Sequence, residues 1–373
     1  MSRPTGASIW CTASRSDRRL LTVMSLVGAM ILTAVVLQDA YPPGEHRHPA
    51  NVVYPGALGP SAAVFRADFP GEELPDAIGH DGQQFYAIAR QPMHLEEVAP
   101  DVDRPHYRLQ RIAFPVLVWM LYPPGGGTGL VVATVMIGAV ALAAGAFATG
   151  RLSVQLGGPR WMALVFCLLP GAYTTLRIST ADTLALAAAI GAIVLSLAGR
   201  HRWAVASAVL AVLAKESMWL IVAGHALWRR DRAGAALAGI PALAGGAWWL
   251  TLRVLVKDSS EGVTEFVLPF VGIADSLELW LRGEHLIAAT SVTLAFGLGV
   301  LALVRVGLSH PLGWAILIQL MFLPWLNINV LGLSFNGSRM TMPLLVLGLV
   351  TVIADERTRG RQTPATPSPA ARA

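Results

Sequence analysis

Apolar residues gather along this chain in runs separated by short polar connections. A helix needs about 20 such residues to cross a bilayer core. Runs that reach or approach this length cover 20–37, 129–149, 161–176, 183–199, 203–214, 218–228, 234–256, 286–304, 311–330 and 341–353. The pattern predicts an all-α polytopic membrane protein with about ten transmembrane helices. The runs 203–214 and 218–228 are short and read as a helical hairpin with Lys215-Glu216 at its tip. One polar stretch is long, 38–128, beginning near Tyr41-Pro42-Pro43-Gly44 and ending at Pro123-Pro124-Gly125-Gly126-Gly127. Inside it, helical spacing of Phe85, Ile88 and Ala89 predicts a helix from Asp81 to Arg90, stopped by Pro92. A second helix is predicted from Pro105 to Tyr122, polar at His106, Arg108, Gln110 and Arg111 and apolar from Ile112. Both suit helices lying on the membrane surface.

Composition agrees with this picture. The chain has 373 residues, 54% hydrophobic and 14% charged, with a mean hydropathy of +0.55. Soluble domains carry about 25% charged residues, so a soluble enzyme and a disordered protein are excluded. The two cysteines, Cys11 and Cys167, make no disulfide scaffold. Charge then sets an orientation. With the N-terminus inside, the pieces 1–19, 150–160, 200–202, 229–233, 305–310 and 354–373 hold 16 Arg and 4 acids, a balance of +12. The opposite pieces hold 11 Lys/Arg and 19 acids, or −8. That asymmetry follows the positive-inside rule and explains a pI near 9.6 without nucleic acid. No A-x-A site follows 20–37, so this run reads as an anchor rather than a cleaved signal. The expected organisation is a cytoplasmic N-terminus at 1–19, one membrane domain over 20–353 and a disordered cytoplasmic tail at 354–373. The expected location is a bacterial inner membrane with both termini cytoplasmic.

Four constellations carry possible chemistry, and the charge rule puts all four on the outer face. Asp81, in Gly79-His80-Asp81-Gly82-Gln83-Gln84-Phe85-Tyr86, is placed to act as a general base toward a hydroxyl. Asp81 with Gln84 three residues later also reads as a capping box. Arg177 and Asp182 bracket a turn between spans, where a snorkelling arginine and a helix cap are equally natural. Lys215-Glu216 is either an ion pair marking a hairpin tip or part of a site; Lys215 and Lys257 are the only lysines beside 26 arginines. Arg339, four residues before Pro343, either grips phosphate through its planar fork or anchors the last span to headgroups. Asn327, Asn329 and Asn336 stand nearby. The run Gly125-Gly126-Gly127-Thr128-Gly129 lacks the Gly-Lys-Ser/Thr of a P-loop and reads as a hinge. His46 and His48 have metal-binding side chains but no supporting ligand spacing.

Taken together, a carboxylate after the first span, a Thr-Ala-Asp turn, a Lys-Glu hairpin tip and an Arg-x-x-x-Pro last span resemble the GT-C superfamily. These are multi-span glycosyltransferases that use polyprenyl-phosphate sugars, such as protein O-mannosyltransferases and GPI mannosyltransferases. His80-Asp81-Gly82-Gln83-Gln84-Phe85-Tyr86-Ala87-Ile88-Ala89 is similar to the Trp-Asp-Gly-x-x-Tyr-x-x-Ile-Ala stretch of some members. It differs in having His80 where Trp is usual, and Met340 where an aromatic often follows the Arg. The resemblance implies a catalytic Asp81, with His80, Gln84, Tyr86, Arg177, Asp182, Lys215, Glu216 and Arg339 contacting substrate. It implies a polyprenyl-phosphate sugar donor, an acceptor hydroxyl and membrane lipids as partners. No nucleotide-binding motif is present, and a divalent metal is left open. A transporter or flippase and a non-catalytic membrane scaffold are the competing classes. An enzyme should bring Asp81, Arg339 and Lys215 to one outward-opening cavity.

Overall fold

The computed structural model describes residues 15–41, 48–256 and 265–362, with side chains from 16 to 357 within those limits. Among these residues the chain is helical, and the one β-type pairing is an isolated bridge between Phe266 and Leu326. Five helices are long and apolar enough to cross a membrane: Ser16–Ala40, Gly127–Gln155, Arg232–Leu255, Leu286–Val306 and Ser334–Arg357. They cover the expected runs at 20–37, 129–149, 234–256, 286–304 and 341–353.

The other runs form shorter helices, each for a local reason. Pro170 cuts 161–176 into Met162–Leu168 and Pro170–Arg177, because a residue before proline is pushed out of the helical region and Leu169 is extended. The run 311–330 becomes Gly313–Phe322, a tight turn at Leu323–Trp325 containing Pro324, and Ile328–Leu331. Asp182–Leu197 has 16 residues, roughly 24 Å against a hydrocarbon core of about 30 Å. Lys215 is extended (φ −160°, ψ 118°) and ends His201–Ala214 before Trp219–Arg229 begins.

Ser334–Gln362 forms the axis of the bundle. Its apolar window is 83% buried, against 17% for Arg232–Leu255 at the periphery. Leu286–Val306 runs along it, Asp182–Leu197 lies between Gly127–Gln155 and His201–Ala214, and Trp219–Arg229 packs on Gly313–Phe322. Leu142, Phe166, Ile190, Ile221 and Leu344 fill the space between them.

The first loop departs from its expected form. Its helices do not lie free on a surface; they close over one end of the bundle around a second apolar core of Val53, Phe65, Phe85, Ile88, Leu109 and Phe114. Asp81–Arg90 is buried at every position from Gly82 to Ala89. Its polar residues accept this because they have partners: Gln83 receives the Gly56 N–H at 3.2 Å, and Gln84 the Asp103 N–H at 2.9 Å. Gly82 is required here, since a Cβ would sit 2.3 Å from the Ile178 carbonyl oxygen. The expected helix from Pro105 to Tyr122 is two helices, Pro105–Leu109 and Ala113–Leu121. Gly125 and Gly126, both at positive φ, form the turn that feeds Gly127–Gln155. His48 accepts the Ala50 N–H at 3.3 Å to cap Pro49–Val53. His46, Lys257, the Pro42-Pro43-Gly44 stretch and the Pro-rich tail from 363 lie outside the described residues.

Candidate functional site

Four segments far apart in sequence meet beneath the first loop. Asp81 lies in the first turn of Asp81–Arg90, and the N-cap is His80, without a side-chain capping bond. The capping box expected of Asp81 and Gln84 therefore does not form. Asp81 instead faces two guanidinium groups. Its Oδ1 is 2.8 Å from Arg108 Nη1, and its Oδ2 accepts from Arg339 Nη1 at 3.1 Å. Asp103, held by Gln84, accepts from Arg108 Nε and Nη2 at 2.6 and 3.1 Å. Burial pushes the Asp81 pKa up, but Arg108, Arg339 and Arg111 outweigh it and hold the carboxyl well below the usual range. Asp103 is lowered too: its burial is overcome by the hydrogen bond and charge of Arg108.

Arg339 joins this pair to a second cluster. Its Nη1 also donates to Thr180 Oγ1 at 3.2 Å and Asp182 Oδ2 at 3.3 Å, while Nη2 donates to Asn336. Thr180 donates to Asp182 at 2.8 Å. The turn that presents both passes through Ser179, a non-glycine residue at φ 53°, fixed by its hydroxyl on the Val52 carbonyl at 3.1 Å. Lys215 donates to Asp182 and reaches Met340 Sδ at 3.0 Å. The expected Lys215-Glu216 pair is absent. Neighbours in an extended segment point to opposite sides, so Lys215 meets Asp182 while Glu216 takes Arg111 Nε and Nη2 at 3.2 and 2.9 Å.

A cavity of about 10 Å³ lies beside Arg339, Lys215 and Asp182, room for about one water. Gln319 Nε2 and Ser217 Oγ, on residues lining it, are buried without a hydrogen-bond partner. Met340, Met342 and Phe322 supply an apolar side. Pro343 has no N–H to offer the Arg339 carbonyl four residues back. Asp81 is not among the lining residues; it is linked to the cavity through Arg339.

Other sequence candidates fall elsewhere. Tyr86 is fully buried and donates to Asp68 Oδ2 at 2.8 Å. Five residues along a helix is about 500° of rotation, which turns Tyr86 away from Asp81. Arg177 donates to Asp39 at 2.6 Å and lies over the Tyr54 ring at 4.8 Å. His80 stands beside Asp81 with its ring edge-on to Tyr54 (4.7 Å) and Phe335 (5.0 Å). Burial, reinforced by Arg339 and Arg177 against the pull of Asp81, lowers its pKa. Asn327 caps Ile328–Leu331, and the Asn329 carbonyl accepts from Asn336 at 2.8 Å.

Sequence reasoning missed Arg108, Arg111 and Asp103 as site residues. The available signal was spacing: Arg104, Arg108 and Arg111 recur at i, i+4 and i+7 and all stand over the Tyr107 ring, at 4.5, 5.3 and 4.2 Å. Among the described residues no group of three or more His, Cys, Asp or Glu side chains stands together to hold a metal ion. Asp81 and Asp182 face cations instead. Compared with known proteins, the chain matches no family model, no curated protein and no solved structure.

Proposed function

We propose that the chain is a GT-C-like glycosyltransferase of about ten crossings in a bacterial inner membrane, both termini cytoplasmic. It moves a sugar from a polyprenyl-phosphate donor to an acceptor hydroxyl on the outer face. The observation that carries this reading is the shared Arg339 Nη1, 3.1 Å from Asp81 and 3.3 Å from Asp182, with Lys215 on the same Asp182. One guanidinium joins the candidate base to the candidate phosphate seat.

In this reading the donor phosphate takes Arg339 and Lys215 away from their carboxylates and uses the unpartnered Gln319 Nε2 and Ser217 Oγ. The prenyl chain enters past Met340, Met342 and Phe322. Asp81 then loses one of its two facing cations and becomes more basic. It accepts the acceptor's proton as the hydroxyl oxygen bonds to the anomeric carbon, and the bond from that carbon to the phosphate oxygen breaks. The departing phosphate leaves its charge on Arg339 and Lys215. Base activation is thereby coupled to donor binding. His80, with Tyr54 and Phe335 around it, forms a wall for the sugar; Gln84 and Glu216 position Asp103 and Arg111. Because the cavity holds about one water, donor entry requires Arg339 and the first loop to move.

Mass spectrometry of lipids and envelope glycans from a deletion strain tests the reaction class. A missing hexose or pentose is expected, restored by the wild-type gene. An Asp81→Asn protein should insert and fold, since Arg108 keeps Asp103 and Arg339 keeps Asp182, yet transfer about 10²–10⁴-fold more slowly. Full transfer by that variant would end the base assignment.

A transporter is the second reading, favoured by the interrupted segments Met162–Leu168/Pro170–Arg177 and Gly313–Phe322/Ile328–Leu331 beside the Arg339 helix. An unchanged glycan profile with altered movement of a lipid-linked or polar solute would select it. If neither changes, the scaffold remains.

A further inference from the structure

The opposite end of the bundle holds a larger cavity, about 660 Å³, where Asp182–Leu197 and Trp219–Arg229 end beside the 308–314 segment. That volume lies in the usual range for bound small molecules, about 300–1,000 Å³. Its polar wall is built rather than incidental. Arg229 Nη1 donates to the Ser196 carbonyl and hydroxyl at 3.0 and 3.1 Å, and its Nε and Nη2 reach Asp231 at 3.2 and 2.8 Å. The fully buried His225 bridges Ser196 Oγ and the Pro311 carbonyl, each at 3.0 Å. Trp228 stacks on His225 at 5.3 Å and donates to the Ser309 carbonyl at 2.7 Å. None of these residues belongs to the Asp81 network.

Arg230, at the cavity's edge, carries a second observation. It ends Trp219–Arg229 at φ 53°, ψ 29°, the left-handed conformation in which glycine is the favoured cap. It is exposed and spends its Nε on the Leu227 carbonyl at 3.3 Å, leaving both Nη nitrogens for a ligand. A strained arginine stands where glycine would fold more easily. The cavity has an apolar lip: Leu308, one of its lining residues, is 38% exposed, and Leu197 lines it too. Trp314 also lines the cavity. This is the end that the charge balance assigns to the cytoplasm.

We infer that this cavity binds the headgroup of an anionic phospholipid. Arg230 takes the phosphate oxygens through its two uncommitted Nη nitrogens, for which a guanidinium fork is suited, while Arg229, held by Ser196 and Asp231, fixes the wall beside it. Trp228, Trp314 and Leu308 take the glycerol and first acyl carbons, as tryptophan does at headgroup depth. The apolar lip is what selects a lipid over a soluble phosphate. The site is independent of the proposed transfer chemistry.

Thermal melting of the purified full-length protein in detergent, with added phosphatidylglycerol or phosphatidylcholine, tests this. Phosphatidylglycerol should raise the melting temperature and phosphatidylcholine should not. Arg230→Gly relieves the left-handed backbone, so it should fold at least as well as wild type, yet bind phosphatidylglycerol about fivefold more weakly. Trp314→Ala should weaken binding too, while Arg202→Gln, at the same end outside the cavity, should keep wild-type affinity. Equal stabilisation by the two lipids overturns the proposal. So does a loss in Arg202→Gln matching that in Arg230→Gly, which would mark a general basic patch. Stabilisation by sn-glycerol 3-phosphate equal to that by the lipid overturns the lipid assignment.

Discussion

Both ends of this bundle concentrate arginine, and they keep it in opposite states. Under the first loop, the side chains of Arg108, Arg111, Lys215 and Arg339 are between 6% and 9% exposed, and each meets a carboxylate. At the other end Arg200, Arg202, Arg230 and Arg232 are exposed, and the Arg229–Asp231 pair has its carboxylate half in solvent. The difference teaches which physical term sets each arrangement. Taking a charge out of water costs several kcal/mol per ion, so a buried cation persists only where the fold delivers a partner at hydrogen-bond distance. An exposed arginine needs no partner. It stays in water and gains little from any one contact.

The largest break in this comparison should come from Arg339→Met. It leaves Asp81 and Asp182 each short of a cation, and loss of one member of a buried pair costs about 3–5 kcal/mol. Arg202→Met should cost under about 0.5 kcal/mol. Chemical denaturation in detergent compares the two, and equal losses would remove the distinction between the ends. A double-mutant cycle on Arg111 and Glu216 should give a coupling of about 1–2 kcal/mol, because this bidentate contact ties the loop to the hairpin. The same cycle on Arg229 and Asp231 should give about 0.2–1 kcal/mol. A larger coupling at Arg229 would reverse the ranking.

The smallest effect is in the pH profile. His80 and Asp81 both have folded pKa values below their ordinary 6.5 and 3.8. Between the lowered and the ordinary value the unfolded chain binds more protons, so stability is lost as pH falls. Melting temperature should be flat above about pH 6.5 and decline below it through His80 and His310, whose pKa burial lowers to about 4. It should drop more steeply below about pH 4, where the unfolded chain protonates Asp81 and Asp103 while the fold resists it. His80→Gln should shrink the step below about pH 6.5 and leave the part due to His310, and Arg230→Gly should leave both steps. A profile that rises on acidification would contradict the sign.

Much of the site was readable before its geometry. Asp182, Lys215 and Arg339 sit at ends of apolar runs, where a charge stands out against its surroundings, and Asp81 opens the helix predicted in the first loop. Arg108 and Arg111 were hidden by the opposite circumstance, since they lie in a polar stretch that reads as solvated. Their i, i+3 relation marks a helix face but says nothing about burial. Tyr86 and Arg177 were drawn in by proximity in sequence, and helix rotation and Asp39 respectively take them elsewhere. The ten runs were likewise read from hydropathy, which is insensitive to the breaks at Pro170 and Pro324.

By itself, the sequence determined that this chain is helical and apolar, where its long helices lie and how its charge divides between connections. Those properties depend on composition within a window of neighbouring residues. Only the tertiary structure decided that Asp81 meets Arg339 across 258 positions, that Lys215 meets Asp182 and that Glu216 meets Arg111. An ion pair at about 3 Å depends on the rotation and axial offset of each helix, and a buried loop core depends on which faces find cover. Hydrophobicity determines that a helix leaves water; packing against specific neighbours determines how far it is covered and which of its charges touch.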